Sequence, residues 1–328
     1  MAIKGLLPIS SCWIVTEGLV GLENQAIGLA QALGTSYTLK KIQKQKGLGR
    51  FLGRSKHGLT APWPDLLITC GRQSVAISID IRKKSLGKTF TVHIQDPLVG
   101  VNQFDVVVAP AHDHVKGQNV CVTRGAVHHV TLDKLREAAN HFRPLLASLP
   151  RPVITVLVGG KNRHQGFSPA SAYDFAHKLG QAVSNSGGSL AVTFSRRTGA
   201  ENEVTLRKEL AQVPSYIWNN QGENPYFGLL SLADMIVVTS DSLSMISESC
   251  STGKPVYIYE LPHCGRRHKE LAKSLIDAGH ARPFLGTIEP WNNVPLDETR
   301  RAADFVYEHL IAKMEVNNNA NFEPRSFA

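Results

Sequence analysis

Five side chains within nine residues, Ser240, Asp241, Ser242, Ser244 and Glu248, carry hydroxyl or carboxylate groups directly after the apolar run Met235 to Thr239. A short run bounded by polar residues reads as a strand buried on both faces, and the carboxyl end of such a strand is where an open parallel sheet collects ligands. A helix entered through Ser or Asp aims unpaired N–H groups and its positive dipole end at that spot, so an anion suits it. Glu248, one to two turns into the helix, is placed to accept hydrogen bonds from both hydroxyls of a ribose. The same residues also fit a serine-rich helix cap with Glu248 turned to solvent. A second set follows another strand: Gly159 and Gly160 let backbone N–H groups approach a phosphate, and Lys161 and Arg163 add charge. Ser195, Arg196 and Arg197 end the strand after that. In the first 150 residues, polar groups again follow apolar runs: Glu17; Glu23, Asn24 and Gln25; Arg72 and Gln73; His93, Gln95 and Asp96.

The elements needed to position these groups alternate. CWIVTEG reads as a strand, AIGLAQALG as a helix stopped by Gly34, SYTLKKI as a second strand, and DLLITC, FTVHI, FDVVVAP and NVCVT continue the series. Residues 133–149 read as a helix, and LPRP at 149–152 marks the expected joint. RPVITVLVGG restarts the pattern, with SPASAYDF opening a helix at Ser168 or Pro169, and SLAVTF, SYI, MIVVT and VYIY supplying strands. The expectation is an α/β protein of two Rossmann-like parallel-sheet domains facing a cleft, residues 1–149 and 150–314. The last helix, ending near Met314, has the option of packing back on the first domain, and residues 315–328 read as a loose tail.

Composition bounds the class. A chain of 328 residues with 42% hydrophobic content can bury two cores. No apolar run reaches the roughly 20 residues that span a bilayer, and the first residues lack a clean signal cleavage site, so the cytoplasm is the expected place. The five cysteines are widely spaced and never form CxxC, which argues against disulfides or structural zinc. Net charge is +9, but Lys40, Lys41, Lys44, Lys46, Arg50, Arg54 and Lys56 supply seven charges with no acid among residues 40–57, and without them +2 remains. Leu48, Phe51 and Leu52 interrupt this run. It fits an anionic membrane surface, which would hold the protein to the inner face of a membrane; it also fits phosphate, or a solvated loop. No nucleic-acid motif accompanies it.

Together TEGLVGLENQAIGLAQAL, CGRQS, HIQDP, FDVVVAPAHD, TRGAVHHV, LVGGKNRHQGF, SRRT, GENPYFGLLSLADMIVVTSDSLSMISESCSTGKPVYI and GHARPF resemble the bacterial relatives of the plant "elongated mitochondria" fission family, from Trp13 to about Met314. That family once carried the label nucleoside-diphosphate-sugar epimerase and is similar to GT-B glycosyltransferases. The resemblance implies a donor nucleotide sugar held by the second domain, with Glu248, Gly253 and Pro255 matching the ribose-binding pattern. It departs at Asp241 and Ser242, where many such enzymes carry glycine. It implies acceptor-side contacts from Asn24 and Gln25, and by extension from Arg72, Gln73, His93 and Gln95.

Inverting glycosyl transfer needs a base for the acceptor hydroxyl and positive charge for the departing diphosphate. Glu23, Glu17 and Asp96 are the candidate bases, with His93 and His268 as substitutes; Lys161, Arg163, Arg196 and Arg197 are the candidate stabilisers. There is no Asp-x-Asp, so neither metal nor other cofactor is expected, the nucleotide sugar being substrate. An NAD-dependent epimerase is rejected: Gly18, Gly21 and Gly28 fit the dinucleotide fingerprint poorly, and the sole Tyr-xxx-Lys, Tyr37 to Lys41, lies in an early strand. Two alternatives stay open: a 2-epimerase on a GT-B scaffold, and a recruiting protein that binds nucleotide or membrane without catalysis, the role of the plant relatives.

Overall fold

The computed structural model describes residues 9–42, 58–160, 167–262 and 264–320. Those residues form two compact units, one within Met1–His129 and Glu298–Ala328, the other within Val130–Asp297.

In the first unit, β1 (Cys12–Thr16), α1 (Val20–Ala32), β2 (Thr38–Lys41), β3 (Leu66–Cys70), α2 (Val75–Lys84), β4 (Phe90–Ile94), β5 (Val106–Pro110) and β6 (Val120–Thr123) follow in chain order. The strands make one parallel sheet in the order β2-β1-β3-β4-β5-β6. β3, β4 and β5 are buried along their whole length, as unbroken apolar runs covered on both faces must be. One face packs Ile14, Ile68 and Val92 against Ala26, Leu29 and Ala30 of α1. The other packs Val15 and Leu67 against Ile77 and Ile81 of α2.

The second unit runs α3 (Leu132–Leu146), β7 (Val153–Val158), α4 (Pro169–Ser186), β8 (Ser189–Phe194), α5 (Ala200–Glu209), β9 (Ser215–Ile217), α6 (Tyr226–Leu232), β10 (Met235–Thr239), α7 (Leu243–Cys250), β11 (Val256–Tyr259), α8 (Arg266–Asp277) and β12 (Arg282–Pro283). Its parallel sheet has the order β12-β11-β10-β7-β8-β9, which by chain position within the unit is 6-5-4-1-2-3, the doubly wound Rossmann arrangement. α4 starts where the sequence places it: Ser168 accepts from the Ser171 N–H at 3.2 Å, Pro169 opens the first turn, and Gly187 ends it at φ +65°.

α9 (Glu298–Ala320) returns to the first unit, where Ala302, Ala303, Val306 and Leu310 pack on the α1 face. It continues six residues into the segment read as a tail, since no Gly or Pro interrupts the chain before Pro324. The unit boundary falls at His129–Val130, ahead of the expected joint at 149–152. α3 sits in the second unit because it packs closely on α6; a Cβ on Gly228 would come within 2.6 Å of Phe142. All five cysteines are free and buried. Among the described residues no helix is long and apolar enough to cross a membrane.

Candidate functional site

In a doubly wound sheet, the strands flanking the order reversal send their following segments to opposite sides, which opens a crevice at their carboxyl ends. In the second unit these strands are β7 and β10. They deliver Gly159 and Gly160 on one side, and Ser240, Asp241 and Ser242 on the other. The two ends are tied together. The Gly159 N–H donates to Thr239 Oγ1 at 2.8 Å, the Thr239 hydroxyl to Asp241 Oδ1 at 2.7 Å, and the Gly160 N–H to Asp241 Oδ2 at 2.5 Å. Arg197 Nη2 lies 3.7 Å from the same carboxylate. Burial pushes the Asp241 carboxyl above its usual range, against the hydrogen bonds from Thr239 and Gly160 and the Arg197 charge, which favour the ionised form.

Glycine is required at both positions for contact with protein. A Cβ at 159 would lie 2.0 Å from Asp241 Oδ2, and one at 160 would lie 2.0 Å from the Arg197 backbone. The amides expected to face a phosphate are therefore engaged within the loop itself. What this edge presents is the start of α7, where Ser242 caps the helix by accepting from the Met245 N–H at 3.4 Å and Ser244 lies half-buried in the first turn. Arg196 and Arg197 are exposed beside it at the end of β8, and half-buried Ser195 accepts from the Arg197 N–H at 3.2 Å. Ser240 serves the fold: its Oγ accepts from the Leu261 N–H at 3.0 Å and lies 3.3 Å from Cys264 Sγ. Lys161 and Arg163 lie outside the described residues.

Glu248 does not face solvent. It is 4% exposed on α7, and its Oε2 accepts a short hydrogen bond from the Tyr226 hydroxyl at the start of α6. Burial raises the Glu248 carboxyl to about 7, with the phenol partly opposing the shift, and burial together with the Glu248 charge holds the phenol well above its ordinary range. Tyr226 is the functional candidate that the motifs missed. Its signal was indirect: a glutamate on the buried face of an amphipathic helix needs a donor from another element.

The first unit reverses its strand order between β1 and β3, and most candidates gather there. Glu17 ends β1, and its Oε1 accepts from the Gln73 N–H beyond β3 at 3.0 Å, with Arg72 exposed alongside. Gly71 seats this contact at φ +93°, since a Cβ there would lie 2.6 Å from Leu22 and 3.0 Å from Glu17. Glu23, in the first turn of α1, pairs with Lys41 of β2 at 2.9 Å. Gln25 donates to the Gly21 carbonyl at 3.0 Å and accepts from the Gln95 amide at 3.4 Å; Asn24 is half-buried beside it. Asp96 accepts from the Leu98 N–H at 2.8 Å, a turn role. His93 does not join this edge. It is fully buried within β4, its Nδ1 2.9 Å from Thr69 Oγ1 and its ring 5.1 Å from Phe104, and burial lowers its pKa to about 3, so it is a neutral core residue. Among the described residues, no three His, Cys, Asp or Glu side chains gather as metal ligands. Residues 43–57, most of the basic segment, lie outside the described residues.

The profile of the family described as Mitochondrial fission ELM1 matches residues 20–310. A mitochondrial fission protein ELM1 of Arabidopsis thaliana is 35% identical over 277 residues, 76% of this chain and 65% of its own length, so the match spans about two thirds of that plant relative. Among solved structures, UDP-GlcNAc 2-epimerase from Methanocaldococcus jannaschii superposes with a TM-score of 0.51 at 13% identity, covering 91% of this chain and 99% of the other. Os79 from O. sativa, in complex with U2F and trichothecene, superposes at 0.52 with 10% identity, covering 92% and 94%. At these identities the likeness is one of fold: α/β, with two six-stranded parallel sheets of the GT-B kind.

Proposed function

The chain belongs to the mitochondrial fission ELM1 family, and from that premise we propose that it is a GT-B-type enzyme that binds a nucleoside-diphosphate sugar on its second unit and transfers the sugar to a cell-envelope lipid or glycan acceptor. The carrying observation is Glu248, a buried carboxylate one helix beyond the β7–β10 strand ends. A carboxylate kept out of water at a cost of several kcal/mol, two turns from a ligand-collecting edge, is better explained by a ligand's hydroxyls than by stability. The ribose takes Glu248. The diphosphate takes the first turn of α7 with Ser242, Ser244, Arg196 and Arg197, which neutralise the departing group, so no metal is needed. On the first unit Glu23 or Glu17 acts as base, with Gln25, Gln95, Arg72 and Gln73 toward the acceptor.

The test is a thermal-shift series with UDP-, GDP- and CMP-sugars, run in EDTA throughout. One class should raise the melting temperature, and Glu248→Ala should abolish the rise. No shift with any of them, or a shift that needs added manganese, sinks the reading. Incubating the bound nucleotide sugar then separates the chemistries: nucleoside diphosphate released only with an acceptor marks a transferase, whereas an altered nucleotide sugar formed without one marks a 2-epimerase. We propose as a second reading a non-catalytic recruiting protein that docks on anionic membranes, a reading that rests on the charge of its basic segment. Binding to vesicles with no nucleotide-dependent shift would select it.

A further inference from the structure

The Tyr226–Glu248 pair joins two elements that the fold holds rigidly. On one side, Asn224 Oδ1 accepts from the Tyr226 N–H at 3.1 Å, Pro225 precedes it, and the Tyr226 ring meets Phe227 edge-on at 5.5 Å. Gly228 then brings α6 against Phe142 of α3 too closely for any other residue. On the other side, α7 is fixed at its start by the Ser242 cap. Its own serines reinforce it: Ser247 donates to the Leu243 carbonyl at 2.8 Å and Ser251 to the Glu248 carbonyl at 2.7 Å. Ile246 and Cys250 of α7 pack into an apolar cluster against which Tyr226 also lies, and the Tyr226 hydroxyl donates to the buried Glu248 carboxylate.

A glutamate has three rotatable bonds, and a buried carboxylate without a fixed donor has no reason to hold one orientation. A phenol whose backbone and ring are both pinned supplies that reason, because a charge-assisted hydrogen bond fixes distance and direction together. Resting on the reading of Glu248 as the ribose acceptor, we propose that Tyr226 is a positioning residue. Its hydroxyl fixes the Glu248 carboxylate so that the pair, and not the carboxylate alone, makes the site prefer ribonucleotides over 2′-deoxyribonucleotides. Preorganisation decides this. An acceptor already oriented meets both ribose hydroxyls at once, while one free to turn satisfies the remaining 3′-hydroxyl of a deoxyribose equally well.

The experiment compares affinities for UDP, GDP and CMP with their 2′-deoxy counterparts by calorimetry, in the wild type, Tyr226→Phe, Glu248→Gln and the double variant. Losing one hydroxyl that donates to a held, charged acceptor weakens binding on the order of tenfold to a hundredfold, which is the preference expected of the wild type. Tyr226→Phe keeps the ring and its packing. It should still bind the ribonucleotide, with the preference fallen to about threefold or less. Glu248→Gln should lose the preference as well, and the double variant should lose nothing further, because the two side chains act as one unit. A purely structural tyrosine would lower the melting temperature and leave the ribo-to-deoxy ratio intact; that ratio unchanged in Tyr226→Phe overturns the proposal. A wild type that binds a ribonucleotide without preference also overturns it, while leaving nucleotide binding standing. A wild type that binds none of the nucleotides removes both. Melting curves of each variant without ligand identify any that fail to fold; should Tyr226→Phe do so, the ratio in Glu248→Gln at an intact Tyr226, compared with Tyr226→Trp, decides the case by the same criterion.

Discussion

Glu248 carries a stability signature that a functional carboxylate should have and a structural one should not. Its pKa rises from 4.5 to about 7 on folding. As pH climbs through 4.5 the unfolded chain releases this proton while the folded protein holds it until about 7, so the unfolded state is favoured progressively across that window. The folded protein loses on the order of 3 kcal/mol there and stays at the lower value above pH 7. His93 and His128 act on the acid side. Burial lowers them to about 3 and about 4, so the unfolded chain takes up their protons first as pH falls below 6.5. Subtracting wild type from Glu248→Gln cancels the histidines. The difference in melting temperature should be near zero at pH 4.5 and reach several degrees in favour of the variant at pH 8, because glutamine still accepts from Tyr226 and never ionises. Parallel curves would show that Glu248 is not held protonated by burial. A substitution that stabilises the protein while removing its preference for ribonucleotides would mark the site as kept for its ligand.

At the scale of elements, the loop between β7 and α4 and the turn between β10 and α7 behave as one object. Gly160→Ala forces a methyl into the Arg197 backbone, a contact that no side-chain rotation relieves. It should cost about 3 kcal/mol, or roughly 6–12 °C in a unit of this size. Gly180, inside α4, has only Val213 Cγ2 at 3.9 Å, so Gly180→Ala should raise the melting temperature by about 2–4 °C through helix propensity. Equal effects of the two substitutions in calorimetry would refute the packing account of Gly160. These glycines also show what the sequence makes legible. The buried strands are visible as β-branched runs closed by Gly, Ser or Asp, and the cap at Ser242 announces α7. α5 is not visible, since AENEVTLRKE buries only Asn202 and Leu206 and has no apolar stripe. β12 has two residues. The adjacent glycines point to a close approach that the sequence assigns to a phosphate; the structure sets Gly159 against the Asp241 carboxylate and Gly160 against the Arg197 backbone, and each of these partners demands the same absence of a Cβ. The Tyr226–Glu248 contact spans 22 residues and two elements, a distance at which no local pattern operates.

For the whole molecule, the excess positive charge bears on whether the protein meets a membrane, and the fold divides that charge in two. Lys40 lies 4.1 Å over the Trp13 ring, and Lys41 pairs with Glu23 at 2.9 Å; both belong to β2 and serve the first unit. Neutralising all seven basic residues would therefore loosen β2 and disturb a candidate base, and a loss of vesicle binding could not be told from damage to the unit. The informative variant changes only Lys44, Lys46, Arg50, Arg54 and Lys56 to Gln. At about 1 kcal/mol for each basic residue near an anionic surface, removing five should weaken binding to phosphatidylserine vesicles by on the order of a thousandfold. Binding of the intact chain should also fall steeply as salt approaches 0.5 M, where the Debye length is only about 4 Å. A segment that serves only to dock on a membrane leaves the nucleotide-induced thermal shift unchanged in the same variant. Vesicle affinity equal to that of the wild type would rule out surface docking by this segment. A thermal shift lost together with the vesicle binding would instead make the segment part of the ligand site, and the phosphate reading of its charge would displace the membrane one.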